Sequence, residues 1–415
     1  MQNPAILTSR QRILNAIEHK PVDHVPLLLR FWSIGADVDQ IPFDWRDEIA
    51  RVEATTALGL DDTLLLEPPL GYVENYAPEE LPGVASRTIK LPPAPGEEHP
   101  RLHKTFPTPF GPLEALLTWS DDWPYGEQVI FFDDYNIPRF IKPWVVNQHD
   151  LPRLTHLLAP PGAKQILQFK ERAALLRQEA GRLGVLLDGG WTALGDTAMW
   201  LCGMQRILYG QMDEPGFIEQ VLDVIFEWEM GRIDLLLAEG VDEIVHMAWY
   251  EGTDFWTPKN YRRLLKPRLR QMVEKVHAHG RKFRYIITKG WQPLSHDLIE
   301  LGIDCLTGVD PVQDRLDLSQ VKQSIGSQIC LMGGLNSGIM LSNWEQAQIE
   351  EAVDYAIETL FPGDGFILYP VDAIFDNQPW EKVDILIKRW RQHWTGHLNE
   401  NSLSTAGSLA KGGFE

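Results

Sequence analysis

Short apolar runs, each closed by a polar or glycine-rich segment, recur eight times along the chain. They cover residues 25–30, 63–67, 184–190, 243–247, 283–289, 303–308, 328–334 and 365–370. Runs of this length with few polar interruptions are typical of strands that are buried on both faces of a parallel sheet. The pattern therefore predicts eight parallel strands.

Amphipathic helical patterns fill most of the intervals between these runs. Apolar residues recur at three- and four-residue spacing over residues 8–20, 217–237, 261–279 and 344–360. Strands that alternate with helices form α/β folds, and eight of them suit a closed (β/α)8 TIM barrel better than an open sheet. No G-x-G-x-x-G motif follows the first run, so a dinucleotide-binding fold lacks its signature.

One stretch, residues 68–161, breaks this alternation. It is rich in proline and aromatic residues, and residues 105–119 around Phe110 and Gly111 have the pattern of a β-hairpin. We expect residues 1–400 to form a single barrel domain, with 68–161 inserted between strands 2 and 3. The insertion either packs over the barrel mouth or serves as the arm of a homodimer. Residues 401–415 are rich in serine and glycine and are expected to form a disordered tail.

Composition narrows the classes of function. The 415 residues carry a formal net charge of −20, which argues against nucleic-acid binding because phosphate contacts need clustered lysine and arginine. No apolar run reaches the ~18 residues that span a bilayer, and the first ten residues lack the features of a signal peptide. We expect a cytoplasmic protein without membrane contact, whose three cysteines are reduced and buried.

Six short motifs occur in an order and spacing found in one known family. They are RQRIL at 10–14, VDHVP at 22–26, WTPKNY at 256–261, GIDCL at 302–306, LMGGL at 331–335 and GFIL at 365–368. With these motifs the chain resembles the uroporphyrinogen decarboxylase superfamily, which also contains cobalamin-linked methyltransferases, over most of residues 8–395. The resemblance implies a (β/α)8 barrel, in agreement with the strand count.

The site residues of the decarboxylase branch are only partly matched. The resemblance implies two arginines after the first strand that hold substrate carboxylates; Arg30 matches one, and Ile34 replaces the other. The family's aspartate after the second strand is matched by Glu67, its tyrosine after the third strand falls at Asp196, and its last histidine falls near Asp372. Uroporphyrinogen, which carries many carboxylates, is therefore a poor match as substrate.

The zinc ligands of the methyltransferase branch are also replaced. The resemblance implies a His-x-Cys pair after strand five and a cysteine after strand eight. The corresponding positions here are Ile287, Lys289 and Asp372. Isoleucine donates nothing, lysine is cationic, and a single carboxylate does not hold zinc, so we expect no metal at this site.

Charged residues at the C-terminal ends of barrel strands are the candidates for catalysis. Arg30 would orient a substrate carboxylate; the alternative is an ion pair with Glu67. Glu67 is itself predicted to be catalytic. Asp372, flanked by apolar residues, would be a proton donor, and Lys289 a catalytic acid, base or amine. We expect Asp372, Arg30 and Glu67 to cluster and Lys289 to face them across the mouth. The alternative for Lys289 is an ion pair with Asp372 or Asp310.

Seven further residues are predicted to bind substrate. They are Trp32, Trp191, Asp196, His246, Trp249, Glu251 and Asn336. The tryptophans would stack on a planar substrate, and the others would supply polar contacts. The alternatives are ordinary packing for the tryptophans, a buried hydrogen bond for His246 and a helix N-cap for Asn336.

Together these features favour a metal-independent decarboxylase that acts on a small aromatic or heteroaromatic carboxylate and uses no cofactor. The first alternative is a methyltransferase of the same superfamily, with a corrinoid as methyl donor or acceptor. The second is a barrel that binds a small ligand without catalysis.

Overall fold

The computed structural model describes residues 6–36, 38–70, 86–121, 123–132 and 137–394. Its strands are β1 (Phe31–Trp32), β2 (Thr63–Leu66), β3 (Arg87–Leu91), β4 (Arg101–Phe106), β5 (Leu113–Thr118), β6 (Phe140–Lys142), β7 (Leu186–Ala193), β8 (Glu243–Met247), β9 (Lys282–Ile286), β10 (Cys305–Val309), β11 (Cys330–Asn336), β12 (Phe366–Val371) and β13 (Ile374–Phe375). Its α-helices are α1 (Ser9–Ile17), α2 (Glu48–Ala57), α3 (Leu151–Leu157), α4 (Ala163–Leu183), α5 (Gly195–Cys202), α6 (Met204–Asp213), α7 (Pro215–Ala238), α8 (Pro258–Asn260), α9 (Lys266–Ala278), α10 (Ser295–Leu301), α11 (Leu318–Ile325), α12 (Gln346–Leu360) and α13 (Trp380–Gln392).

Seven strands form a parallel sheet in the order β12-β11-β10-β9-β8-β7-β2, and the segment 26–28 closes it. The amide of Leu28 donates to the carbonyl of Leu368 in β12 at 3.2 Å, and the Leu368 amide donates to the Pro26 carbonyl at 2.9 Å. On the other side the Asp61 amide, just before β2, donates to the Leu27 carbonyl at 3.0 Å. The first apolar run therefore joins the two edges of the sheet, and the predicted (β/α)8 barrel is confirmed.

The strand ends that lead to the barrel mouth differ from the prediction. β7 continues to Ala193 through a shift of register between Gly189 and Thr192, and β11 continues to Asn336. The first run leaves the barrel after only a few residues, and the chain continues into β1, which pairs with β13. Arg30 consequently lies where the chain passes from the barrel to a small sheet above it.

Helix α1 is tied to the first barrel segment by buried charges. Thr8 caps the helix by accepting a hydrogen bond from the Gln11 amide at 3.2 Å. Arg12 donates to Asp23 at 2.7 Å and to Asp61 at 2.6 Å. Asp61 also accepts from the Leu27 amide at 3.2 Å. One aspartate thus joins α1 to the strand that closes the barrel.

The insertion between strands 2 and 3 of the barrel contains an antiparallel sheet in the order β3-β4-β5-β6. β4 and β5 form the predicted hairpin, with Phe106 paired to Leu113 and Gly111 in its turn at a φ of +95°. Apolar side chains of this sheet, such as Leu102 and Leu117, belong to the same hydrophobic core as the barrel helices. The predicted tail, 401–415, lies outside the described residues.

Two further features concern the whole described part of the chain. The three cysteines, Cys202, Cys305 and Cys330, are buried and form no disulfide. Within the described ranges, the helices are too short or too polar to cross a membrane.

Candidate active site

Arg30 is held among three indole rings. Its Cζ lies 5.0 Å from the ring centroid of Trp32, 5.1 Å from that of Trp191 and 6.0 Å from that of Trp249. Its Nη1 lies 3.4 Å from Asp372 Oδ1. Aromatic faces attract a cation at these distances and shield it from water. The four contacts therefore fix the position of the guanidinium at the barrel mouth.

Two cavities meet at Arg30 and Trp32. The outer cavity, of about 320 Å³, faces the mouth, and its walls are Arg30, Trp32, Ile34, Phe132, Ile137, Asp196, Trp200, Met247, Trp249, Tyr250, Asp372, Ala373 and Phe375. These side chains are mostly aromatic or aliphatic, and two of them, Phe132 and Ile137, come from the insertion. The outer cavity thus offers stacking surfaces around a few charged groups.

The inner cavity, of about 310 Å³, lies within the barrel. Its polar lining residues are Arg30, Arg51, Asp62, Thr63, Glu67, Asp188, Arg284, Thr307 and Tyr369. Most of these charges are paired: Arg51 Nη2 lies 3.2 Å from Asp62 Oδ1, and Arg284 Nη2 lies 2.5 Å from Asp188 Oδ2. Trp191 and apolar strand residues such as Leu65 complete the wall. The inner cavity is therefore polar and nearly neutral, in contrast to the aromatic outer one.

Asp372 lies half-buried at the edge of the outer cavity, one residue after β12. Burial raises the pKa of its carboxyl group; Arg30 opposes this shift, and Asp310 adds to it. A carboxyl group in such a position retains its proton at a pH where a solvated aspartate has lost it. The geometry thus places a potential acid beside the cation.

Tyr369 is a site residue that sequence reasoning missed. Its hydroxyl donates a hydrogen bond to the main-chain carbonyl of Asp372, and burial raises the pKa of the phenol, so the hydroxyl remains a donor. The side chain also lines the inner cavity. Within the apolar run 365–370 it has the pattern of an ordinary strand residue, and no signal in the sequence distinguishes it.

The sequence comparison supplies the family. The family model described as uroporphyrinogen decarboxylase matches residues 123–393, which is more than half of the chain. The chain belongs to the uroporphyrinogen decarboxylase family. No curated protein matches the sequence.

Two solved structures were compared with this family member. A methyltransferase from Methanosarcina mazei superposes with a TM-score of 0.57 at 17% identity, covering 94% of this chain and 100% of that chain. The 3-keto-D-glucoside 4-epimerase of E. coli matches with a TM-score of 0.33 at 12% identity, covering 60% of this chain and 95% of its own. The first likeness shows that the whole barrel is shared.

The positions of the zinc ligands in the methyltransferase branch of the family do not fit a metal here. Ile287 is buried and has no donor atom, Lys289 is cationic, and Asp372 faces Arg30. In the ranges that the structure describes, no group of three His, Cys, Asp or Glu side chains is arranged to hold a metal ion. Zinc at this site therefore has no ligand set.

Lys289 does not face the other predicted catalytic residues. β9 ends at Ile286, so Lys289 lies in the following loop, where its side chain is 57% exposed and its Nζ lies 3.2 Å from Asp254 Oδ2. It lines neither cavity. The expected position across the mouth from Asp372 is therefore wrong, as is the alternative pair with Asp372 or Asp310. A role in catalysis stays a prediction without support from this geometry.

Glu67 and Asp196 do lie at the cavities. Glu67 is exposed and lines the inner cavity, as Arg30 does. Asp196 lines the outer cavity, and its carboxylate accepts hydrogen bonds from the amides of Trp249 and Tyr250, both at 3.0 Å. Asp196 thus positions the loop that carries one of the three tryptophans around Arg30.

His246 and Glu251 are fully buried and line neither cavity. His246 Nδ1 lies 3.0 Å from Thr192 Oγ1, and its Nε2 lies 3.2 Å from Glu251 Oε1. Glu251 also accepts from the Gly195 amide at 2.7 Å and from the Tyr285 hydroxyl at 2.5 Å. The expectation that both residues touch substrate is wrong for these cavities. They hold the strand ends together instead.

Asn336 has the structural role of a helix N-cap, which was the alternative to substrate binding. Its Oδ1 accepts from the Ile339 amide at 2.7 Å and caps the helical turn 337–341, while its Nδ2 donates to Asp310 Oδ2 at 2.7 Å. The side chain is buried and lines neither cavity. The prediction that Asn336 contacts a substrate is therefore wrong for these two cavities.

Proposed function

We propose that the protein is a decarboxylase that acts on a small aromatic or heteroaromatic carboxylate without a metal ion. The observation that carries this proposal is the pair formed by Arg30, held among three indole rings, and Asp372, whose pKa burial raises. An arginine binds a carboxylate through two parallel hydrogen bonds, and tryptophans stack on a planar ring.

The two residues divide the reaction between them. Arg30 holds the substrate carboxylate while the ring lies against Trp32 and its neighbours. The protonated Asp372 transfers its proton to the ring carbon that bears the carboxylate. The bond from that carbon to the carboxylate then breaks, its electron pair returns to the ring, CO2 leaves, and Asp372 is reprotonated from solvent. A carboxyl group with a raised pKa suits this role because it is still protonated when substrate binds.

The number of cations supports a substrate with few carboxylates. Among the described residues that line the outer cavity, Arg30 is the one cationic side chain. The acidic side chains in that lining are Asp196 and Asp372. Each additional substrate carboxylate would be buried without a positive partner, which costs free energy. A polycarboxylated tetrapyrrole is therefore a worse fit than a single small ring.

Methyl transfer is the second candidate. It is favoured by the shared barrel of the Methanosarcina mazei protein, which is named as a methyltransferase and covers almost all of this chain. A corrinoid would have to approach from the mouth, where the outer cavity opens. Because the zinc ligands are replaced, the methyl acceptor would have to react without activation of a thiol by zinc.

One experiment separates the candidates even when the substrate has not been identified. The purified protein is incubated in D2O with a deproteinised small-molecule cell extract, with and without methylcobalamin, and the mixture is followed by mass spectrometry. Decarboxylation lowers the mass of one compound by that of CO2 and leaves a deuterium on carbon. A gain equal to a methylene group would support methyl transfer. A compound that binds but does not change would support a barrel without catalysis, and either of these two results would contradict the lead proposal.

A further inference from the structure

The inner cavity extends well below Arg30. Trp191, which contacts Arg30, and Asp188 both line the inner cavity and lie three residues apart on β7. Between Gly189 and Thr192, three residue steps of β7 lie beside two of β8, so the two positions are separated by less than the ~10 Å that three regular strand residues span. This depth suits one aromatic ring that carries a polar group at each end.

Asp188 stands at the deep end with hydrogen-bonding capacity to spare. Its side chain is 3% exposed, and its Oδ2 accepts from Arg284 Nη2 at 2.5 Å. Its Oδ1 receives no donor from a described N–H or hydroxyl group. The neighbouring Glu243, when protonated, is a hydrogen-bond partner of Asp188. A carboxylate oxygen has two lone pairs, so Asp188 Oδ1 can accept a second hydrogen bond even when Glu243 donates one to it.

The position of Asp188 directs that capacity to the cavity. Asp188 lines the inner cavity, whereas Glu243, which contacts the same arginine, does not. A buried acceptor without a full set of donors costs free energy unless the cavity contents supply one. The charges of Arg51 and Arg284 are already paired with acids. The group that fits there is a neutral donor, such as a hydroxyl or an amino group.

We propose that the substrate is an aromatic carboxylate with a hydroxyl or amino substituent, which donates a hydrogen bond to Asp188 Oδ1 in the inner cavity while Arg30 holds the carboxylate. This inference rests on the proposed decarboxylase function. It also adds to the chemistry, because such a substituent releases electrons into the ring and favours protonation of the carbon that loses CO2. A hydrogen bond to a carboxylate strengthens that release.

The test compares three ligands. Benzoate has no hydrogen-bond donor on its ring, whereas 4-hydroxybenzoate and 4-aminobenzoate each have one. Their dissociation constants are measured by calorimetry on the whole protein. We expect one of the substituted ligands to bind about 10- to 100-fold more tightly than benzoate, the effect of one hydrogen bond to a charged acceptor. In Asp188→Asn the remaining oxygen still serves Arg284 and the amide presents N–H groups to the cavity, so this preference should disappear. Glu243→Gln is the control and should retain the preference, because Glu243 does not line the cavity and glutamine still carries an N–H group that can donate to Asp188.

The outcomes distinguish this inference from the function on which it rests. Equal binding of all three ligands that is lost in Arg30→Ala would overturn the inference and leave the decarboxylase proposal intact. An equal loss of preference in Asp188→Asn and Glu243→Gln would show that both acids have a structural role only. That result would also overturn the inference. Absence of any Arg30-dependent binding would contradict the decarboxylase proposal, and this inference with it.

Discussion

Arg30 Nη1 lies 3.4 Å from Asp372 Oδ1, at the seam where the first and last barrel strands meet. The distance is longer than that of a close charge-assisted hydrogen bond, so the pair is a loose one. A substrate carboxylate that approaches from the cavity can engage the same guanidinium, while a protonated Asp372 remains beside the reacting carbon. The loose pair is thus suited to binding and to proton transfer.

Replacement of Arg30 by alanine should weaken carboxylate binding by about 2–3 kcal/mol, the contribution of hydrogen bonds to a charged partner. The measurement is the dissociation constant of the substrate in calorimetry. Arg46→Ala is a matched control, because Arg46 also stacks on an indole, 4.4 Å from the Trp45 ring centroid, but lines neither cavity. If both variants bind as the wild type does, Arg30 is not the carboxylate site.

Asp372→Asn should reduce turnover by about 10²- to 10⁴-fold, the range for loss of a general acid, with little change in KM. In the wild type, turnover should fall as pH rises through the raised pKa of Asp372, because the acid then loses its proton. Steady-state kinetics over a pH series measure both effects. Asp384→Asn, on the exposed face of α13, is the control. Full turnover in Asp372→Asn would remove this residue from the mechanism.

The stability of the barrel should depend on the proton of Glu243. Burial raises the pKa of this carboxyl group, Arg284 opposes the shift, and Asp188 adds to it. Between the ordinary pKa of an unfolded glutamate and the raised folded value, the native state binds more protons than the unfolded chain. The free energy of unfolding must then decrease as pH rises through that interval.

Glu243→Gln should remove this part of the pH dependence, because glutamine does not titrate. Urea unfolding at a series of acidic to neutral pH values measures the free energy of unfolding of both proteins. Parallel curves for the variant and the wild type would show that Glu243 has no raised pKa in the folded state.

Arg12→Ala should lower the free energy of unfolding by about 3–5 kcal/mol, because it leaves a buried charge without its partner. Asp61 is fully buried, and the Arg12 guanidinium lies 2.6 Å from it. Arg10→Ala on the same helix should cost much less, since Arg10 is 45% exposed and Arg281 also lies near its partner, Asp242. Equal losses in denaturant unfolding would contradict the role of Asp61 in closing the barrel.

Much of the fold follows from periodicity alone. Each of the eight apolar runs contains a strand or bridge of the barrel, because a strand covered on both faces needs an uninterrupted apolar sequence. The first and last residues of the strands were less predictable. Trp191 extends β7 through an irregular register, and Trp32 belongs to a separate pair of short strands, since both depend on contacts between distant segments.

The site was predictable where chain order fixes neighbours. Arg30 and Asp372 meet because the first and last strands of a barrel are adjacent. Lys289 was misplaced because the position after a strand does not give the direction of the side chain, and β9 ends three residues earlier. His246 was misplaced and Asp188 was missed for another reason: in a run that is apolar on both faces, the pattern does not show which side faces the barrel interior.

The most direct test of the decarboxylase mechanism is the deuterium content of the product in D2O. The substrate found in the extract experiment is incubated with the wild type, Arg30→Ala and Asp372→Asn, and mass spectrometry follows the compound that has lost CO2. The mechanism predicts one deuterium on carbon in the wild-type product, a much slower reaction in Asp372→Asn at saturating substrate, and recovery of the Arg30→Ala rate as substrate concentration is raised. A product that keeps its carboxylate and gains a methyl group, or a decarboxylation that proceeds at the wild-type rate in both variants, would contradict it.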